Sequence, residues 1–250
     1  MMVKPGKASR VRSHSFILIL FSLTFFSLFF VAAAAVPAQA QRGTLGIDLG
    51  ETTDKFGSLS SQTAGEVRVE GEFNIIQSGK DGNPNIVIGG EVDAPTDTNA
   101  HAKEYAVFGG PIFPVGNFSA GVYAEIRKIV MPAALVDNQT LVRFNMELLE
   151  IPVVLKYKFG PDRRAFVQLQ GEPEFTPRFR NASASQAGIL HPNFDYAYTV
   201  RGGLGYNFGR WYVRGTYQLR SFQFTNNPNN PSGLYNWRST AATGGVGLNF

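Results

Sequence analysis

Trp237-Arg-Ser-Thr-Ala-Ala-Thr-Gly-Gly-Val-Gly-Leu-Asn-Phe250 closes the chain, and the alternation in this stretch decides the fold. Counting back from Phe250, Leu248, Val246, Gly244 and Ala242 share one face, while Asn249, Gly247, Gly245 and Thr243 share the other. One face is apolar, the other is small and polar, and the final residue is aromatic. A membrane-spanning β-barrel ends this way. Closed strands can cross a bilayer because every backbone N–H and C=O is satisfied by the neighbouring strand.

The same period of two recurs upstream. Val67, Val69, Gly71, Phe73 and Ile75 alternate with Glu66, Arg68, Glu70, Glu72 and Asn74. Phe118, Ala120, Val122, Ala124 and Ile126 alternate with Ser119, Gly121, Tyr123, Glu125 and Arg127. Val167, Leu169, Gly171, Pro173 and Phe175 alternate with Gln168, Gln170, Glu172, Glu174 and Thr176. Further strands are expected near 43–50, 84–92, 102–113, 140–159, 193–208 and 210–224. In the stretch 140–159 the apolar set changes from even positions (Val142, Phe144, Met146) to odd ones (Ile151, Val153, Leu155), which predicts a β-bulge near Leu148-Leu149.

The connections alternate in length. Pro114-Val115-Gly116, Gly160-Pro161-Asp162-Arg163 and Gly209-Arg210 are tight; Lys80-Asp81-Gly82-Asn83 reads as a hairpin turn. Asp93–Ala100, Pro132–Gln139, Asn181–Pro192 and Thr225–Asn236 are longer and polar. Short turns at one end and long loops at the other belong to an up-and-down antiparallel transmembrane β-barrel. Ten strands use every alternating segment, and eight is the alternative, at the cost of discarding 65–77.

Two features orient the faces. Charges of both signs recur on the polar side, where they can pair across a narrow interior. Glu150, Glu172, Glu174, Arg178, Arg180, Arg201, Arg214 and Arg220 are the expected ion-pair network of the lumen. Aromatics gather near strand ends on the apolar side: Tyr157 and Phe159, Phe194 and Tyr196, Tyr206 and Phe208, Trp211. Such girdles sit at the two membrane interfaces.

The first forty residues read as a secretory signal peptide. Lys4, Lys7, Arg10 and Arg12 precede an apolar run from Phe16 to Val31, and Ala38-Gln39-Ala40 offers a small-x-small cleavage site before Gln41. This leaves 41–250 as the barrel domain. The chain has 23 basic and 19 acidic residues; four of the basic ones and none of the acidic ones lie in 1–40, so the remainder is formally neutral. The basic balance therefore belongs to the leader and implies no nucleic-acid partner. With no cysteine, thiolate metal sites and disulfides are excluded.

Leu148-Leu-Glu-Ile-Pro-Val-Val-Leu-Lys-Tyr-Lys-Phe-Gly160 resembles the LEIPLLLKYxF strand of the outer-membrane β-barrel domain family, the PorT-like group of small barrels. Gly202-Gly-Leu-Gly-Tyr-Asn-Phe208 and Trp211-Tyr-Val-Arg-Gly-Thr-Tyr217 resemble its penultimate hairpin, and Val246-Gly-Leu-Asn-Phe250 its closing strand. The likeness covers roughly 102–250. It implies a bacterial outer-membrane location, contact with outer-membrane lipid, and recognition of Val246, Leu248 and Phe250 by the barrel-assembly machinery. It implies no catalytic residues.

No catalytic, cofactor-binding or metal-binding residue is assigned. Gly202-Gly203-Leu204-Gly205 and Gly244-Gly245-Val246-Gly247 lack the strand–helix context of a phosphate loop. His101 has Asp97 four residues away and His191 has Asp195, but neighbours so spaced along a strand lie about 13 Å apart. Both histidines read as solvated residues at loop–strand junctions. The leading expectation is a non-enzymatic barrel with a plugged or narrow lumen, structural or acting through its loops on a protein or glycan. The alternatives are a barrel hydrolase acting on lipid or peptide through His101 or His191, a narrow solute channel, and a soluble periplasmic barrel holding an apolar ligand.

Overall fold

The structure is a computed structural model. It describes residues 43–57, 60–78, 81–98, 101–130, 134–136, 140–142, 145–180, 194–224 and 236–250, without the side chains of 134–136, 140–142, 175–180 and 194. Residues 1–42, His191 and most of the longest loops lie outside the described residues.

The strands are β1 (Gly43–Phe56), β2 (Gln62–Ile76), β3 (Asn85–Pro95), β4 (Lys103–Val115), β5 (Phe118–Val122), β6 (Ala124–Val130), β7 (Ala134–Val136), β8 (Thr140–Val142), β9 (Asn145–Glu150), β10 (Val153–Phe159), β11 (Ala165–Arg180), β12 (Phe194–Asn207), β13 (Trp211–Phe224) and β14 (Trp237–Asn249). β5 with β6, and β9 with β10, each form one interrupted barrel strand, while β7 and β8 pair as a separate hairpin. The result is a closed antiparallel barrel of ten strands, sealed where β1 pairs with β14 from Thr44↔Asn249 to Phe56↔Trp237. Closure leaves the barrel itself without an edge strand. The expected strand at 43–50 therefore runs on to Phe56, because its whole length is needed for the seam.

The turns fall where the sequence puts them. Gly116-Asn117, residues 160–164 and residues 208–210 close one end of the barrel. Gly116 and Gly209 take positive φ (60° and 88°), which L side chains rarely adopt. The connection 77–84 lies at this end too, where the Gly82 N–H donates to the Pro114 carbonyl at 2.7 Å; the connections that follow β1, β3, β6, β11 and β13 leave from the other end.

The outer surface is apolar. Val107 and Leu204 are 70% and 64% exposed, whereas Glu150 and Arg127 inside are 0% and 1% exposed. Tyr206 and Tyr198 mark the two ends of this surface on β12. Eight residues of strand span about 26 Å, or about 20 Å along the axis at a tilt of about 35–45°. That is close to the apolar band of a transmembrane barrel, about 25 Å tall. Phe113, Tyr157, Phe159, Phe208 and Trp211 ring the short-turn end; Tyr105, Tyr196 and Tyr198 lie outward nearer the long-loop end, and Tyr217 lies outward midway along β13.

The bulge expected at Leu148-Leu149 is absent. Even positions face inward without interruption: Met146 and Leu148 are buried, as are Glu150 and Val154. Glu150↔Glu174 and Val153↔Gly171 keep one register across Ile151-Pro152. The ladder is interrupted there because Pro152 has no N–H to donate, although its carbonyl still accepts from Tyr123 at 2.9 Å. The register shift lies instead on β11, between Phe175 and Arg178, around Pro177. The apparent change of face arose because Met146 and Leu148, although apolar, belong to the packed interior.

Candidate functional site: an ionic belt in the lumen

The inward positions of the barrel form three layers. Toward the long-loop end, Ile129, Met146, Leu148, Phe222 and Trp237 fill the interior. Toward the short turns, Val87, Tyr123 and Val154 pack with Phe108 and Ile112. Between them runs a belt of charge, carried by residues whose strand phase forces them inward.

Arg127 on β6 is its centre. Its Nε donates to Glu150 at 3.0 Å and its Nη1 to Glu91 at 3.1 Å and Glu104 at 2.9 Å. Nη2 pairs with Glu125 at 2.5 Å and reaches Glu172 at 3.5 Å. Arg201 on β12 holds Glu91 with both terminal nitrogens, at 2.5 and 2.8 Å, in the fork geometry that guanidinium and carboxylate share. Glu91 thus bridges Arg127 and Arg201. Arg220 on β13 pairs with Glu104, which bridges it to Arg127. Its Nε donates to Thr199 at 2.7 Å, and Thr199 donates onward to Glu174 at 3.0 Å. Arg68 on β2 binds Asp93 at 2.6 Å and Glu66 at 3.0 Å. The Gln218 side-chain oxygen joins Arg68 to Arg201, accepting from each at 3.0 Å.

Among the described residues the belt holds eight buried carboxylates, Glu66, Glu91, Asp93, Glu104, Glu125, Glu150, Glu172 and Glu174, against four buried guanidiniums. Oxygens of Glu125, Glu150 and Glu172 lie within 4.8 Å of one another, a spacing that could hold a metal ion. Arg127 already contacts all three, so its guanidinium supplies the positive charge at that point.

Below the belt, Arg214 donates to Asp48 at 2.7 Å and pairs with Glu70 at 2.9 Å. Lys156 lies over the Phe166 ring at 4.3 Å. Between Glu70, Phe166, Arg201 and Arg214 is a cavity of about 20 Å³, room for about one water.

Of the charged residues expected in the lumen, Glu150, Glu172, Glu174, Arg201 and Arg220 come together in the belt, and Arg214 lies in the layer below. The side chains of Arg178 and Arg180 lie outside the described residues. Glu91, Asp93 and Glu104 escaped sequence reading. Val87, inward and apolar, shares the phase of Glu91 and Asp93 and blurs the alternation of β3.

His101 is not a solvated residue. It is 2% exposed, and its Nδ1 lies 2.9 Å from Asp54. The other oxygen of Asp54 accepts from the Trp237 indole N–H at 3.0 Å. Asp54 sits 47 residues away in sequence, so no local spacing could have announced the pair.

No family model matches the chain, and no curated protein matches it in sequence. Several solved structures are similar to it. The outer membrane protease OmpT from Escherichia coli is 10% identical, covers 86% of this chain and 100% of its own, and gives a TM-score of 0.46. The translocator domain of the autotransporter NalP from Neisseria meningitidis is 10% identical over 94% of this chain and 98% of its own, with a TM-score of 0.38. Neisserial surface protein A is 11% identical over 83% and 97%, with a TM-score of 0.35. The barrel itself stands on its own closed ladder.

Proposed function

We propose that the chain is a small bacterial outer-membrane barrel whose lumen is sealed and whose work is done on its outer face and long loops. The observation that carries this reading is the belt centred on Arg127, which ties β3, β4, β6, β9 and β11 together and, through Glu91 and Glu104, reaches β12 and β13. A ten-stranded wall encloses little more than its own inward side chains; open porins need about 16 strands. Here those side chains are paired across the axis, with an apolar layer toward the long loops and a mixed layer, apolar side chains beside the Arg214–Asp48–Glu70 pairs, toward the short turns. In this reading residues 1–40 are removed after Ala40, the short turns face the periplasm, and the long loops face outward to a protein or glycan. The PorT-like resemblance of residues 148–160 supports the same assignment.

Planar-bilayer recording of the purified, refolded protein tests it. Closed or brief, small events are expected; stable porin-sized conductance would show that the interior is a channel.

One observation favours a second reading. Asp54 fixes the imidazole of His101 through Nδ1, the arrangement by which a carboxylate orients a general base. A hydrolase at the long-loop end would depend on that pair. His101→Ala, assayed for peptide and lipid cleavage beside the wild type, separates the readings: loss of a measurable activity supports hydrolysis, and no activity in either protein removes it.

A further inference from the structure

On the outer face of the closing seam, Lys55 of β1 stands directly across the ladder from Arg238 of β14. Both are exposed, and neither has an ion-pair partner among the described residues. Directly opposed residues lie about 4.5–5.5 Å apart at Cα, and like charges in that relation destabilise a sheet. The two cations cannot relax by fraying. The next ladder position is Phe56↔Trp237, where the rings stack at 6.0 Å, and Trp237 stacks again on Phe222 at 5.1 Å. The Trp237 indole is held by Asp54, and the Gly57 N–H donates to the Asn236 carbonyl at 2.7 Å.

The surroundings say what could offset the repulsion. One step toward the middle of the barrel, Thr53 faces Thr240 on the same outer surface. Beyond them the seam becomes apolar at Leu49, Ile47 and Val246. Glu51 shares this face but stands four residues from Lys55, about 13 Å along the strand, opposite Ala242. Elsewhere on the outer wall Lys128 is opposed by Glu147, so an unopposed pair of cations is not the general pattern.

We propose that Lys55 and Arg238 clamp the phosphate of an anionic lipid headgroup in the leaflet on the long-loop side, with the Thr53 and Thr240 hydroxyls beneath it. This rests on the membrane-spanning reading. Guanidinium presents a fork that matches phosphate oxygens, ammonium adds a point charge, and the anion converts a repulsive pair into a bridged one. The acyl chains of the same lipid would lie along Leu49, Ile47 and Val246. An acidic peptide would satisfy the charges but leave that apolar strip uncovered.

The test uses the chain 41–250 refolded into phosphatidylcholine vesicles containing phosphatidic acid, then extracted and weighed by native mass spectrometry. Gel heat-modifiability confirms that each variant is folded. The wild type is expected to retain phosphatidic acid, and Lys55→Gln with Arg238→Gln to reduce the retained fraction about tenfold or more. Lys128→Gln should retain as the wild type does. Millimolar inorganic phosphate should not displace the lipid; displacement would mean that the pair takes free phosphate, overturning the headgroup assignment. Equal retention by the folded double variant would overturn the clamp alone. Failure of the wild type to insert would overturn the membrane reading, and the clamp with it.

Discussion

Replacing Arg127 with alanine should cost more stability than any other single truncation in the lumen. Its side chain is 1% exposed and pairs with Glu91, Glu104, Glu125, Glu150 and Glu172. After the change Glu91 keeps Arg201, and Glu104 and Glu172 keep Arg220. Glu125 and Glu150 keep no guanidinium partner among the described residues, and the belt's excess of carboxylates over guanidiniums rises from four to five. Removing one partner of a buried pair typically costs about 3–5 kcal/mol, and this site belongs at the upper end because two carboxylates are stranded. With a urea slope of about 2 kcal/mol per M, the midpoint should fall by about 1.5–2.5 M. The assay is urea unfolding in detergent micelles, followed by fluorescence of the two tryptophans, Trp211 on the outer wall and Trp237 inside. Arg164→Ala is the comparator. Its pair with Asp162 is 3.5 Å long and exposed, worth about 0–1 kcal/mol. If Arg127→Ala moves the midpoint no further than Arg164→Ala, the belt is freely hydrated and the sealed lumen is wrong. Arg127→Met combined with Glu125→Gln and Glu150→Gln should recover much of the loss, since the stranded charges are then gone.

Three further outcomes are expected. Aspartate at both Leu248 and Phe250, or deletion of Phe250, should sharply reduce insertion: a charge at this interfacial end costs only about 0–1 kcal/mol, so the loss would come from the altered closing strand; wild-type amounts of heat-modifiable protein would contradict the reading of β14 as the assembly signal. His101→Ala leaves the buried Asp54 carboxylate with only the Trp237 indole as its described partner, which should cost about 1–3 kcal/mol and raise hydrogen exchange at the long-loop end; unchanged exchange there would show that the pair holds nothing in place. Gly50→Val should impair closure, because a Cβ at Gly50 would run into the Ala242 carbonyl and lie 2.6 Å from the Thr243 Cα; folding yields equal to those of wild type would show that the seam can spread.

Most of the architecture is written locally. Strand phase, turn chemistry and loop length all have periods of a few residues, so the ten strands and both ends of the barrel can be read along the chain. The belt is legible only in part. Arg201, Arg220, Glu172 and Glu174 stand in clean alternation, but Glu91 and Glu104 are paired through contacts spanning more than twenty residues. Where the interior is itself apolar, alternation loses its meaning. Met146 and Leu148 look like lipid-facing residues and are not, and from that one ambiguity came the misplaced bulge. His101 and Asp54 show the other limit, a pair between β1 and the residue leading into β4, whose neighbours in sequence give no sign of it.

The seam between β1 and β14 joins the first and last strands of the barrel. Thr44 meets Asn249, so the wall shuts through a pairing of residues far apart in sequence. Contacts of such sequence separation come late and slowly in folding. The belt inherits that delay: Arg68 reaches Gln218 across 150 residues and Arg201 reaches Glu91 across 110. Until the ring shuts, its carboxylates and guanidiniums face water or one another at random, and an open sheet carrying them into a bilayer would have to shed their hydration without return. Neutralisation and closure are therefore one event. The chain should cross from the aqueous side as a nearly finished ring, and an unaided bilayer should admit it far more slowly than one equipped to hold the first and last strands together.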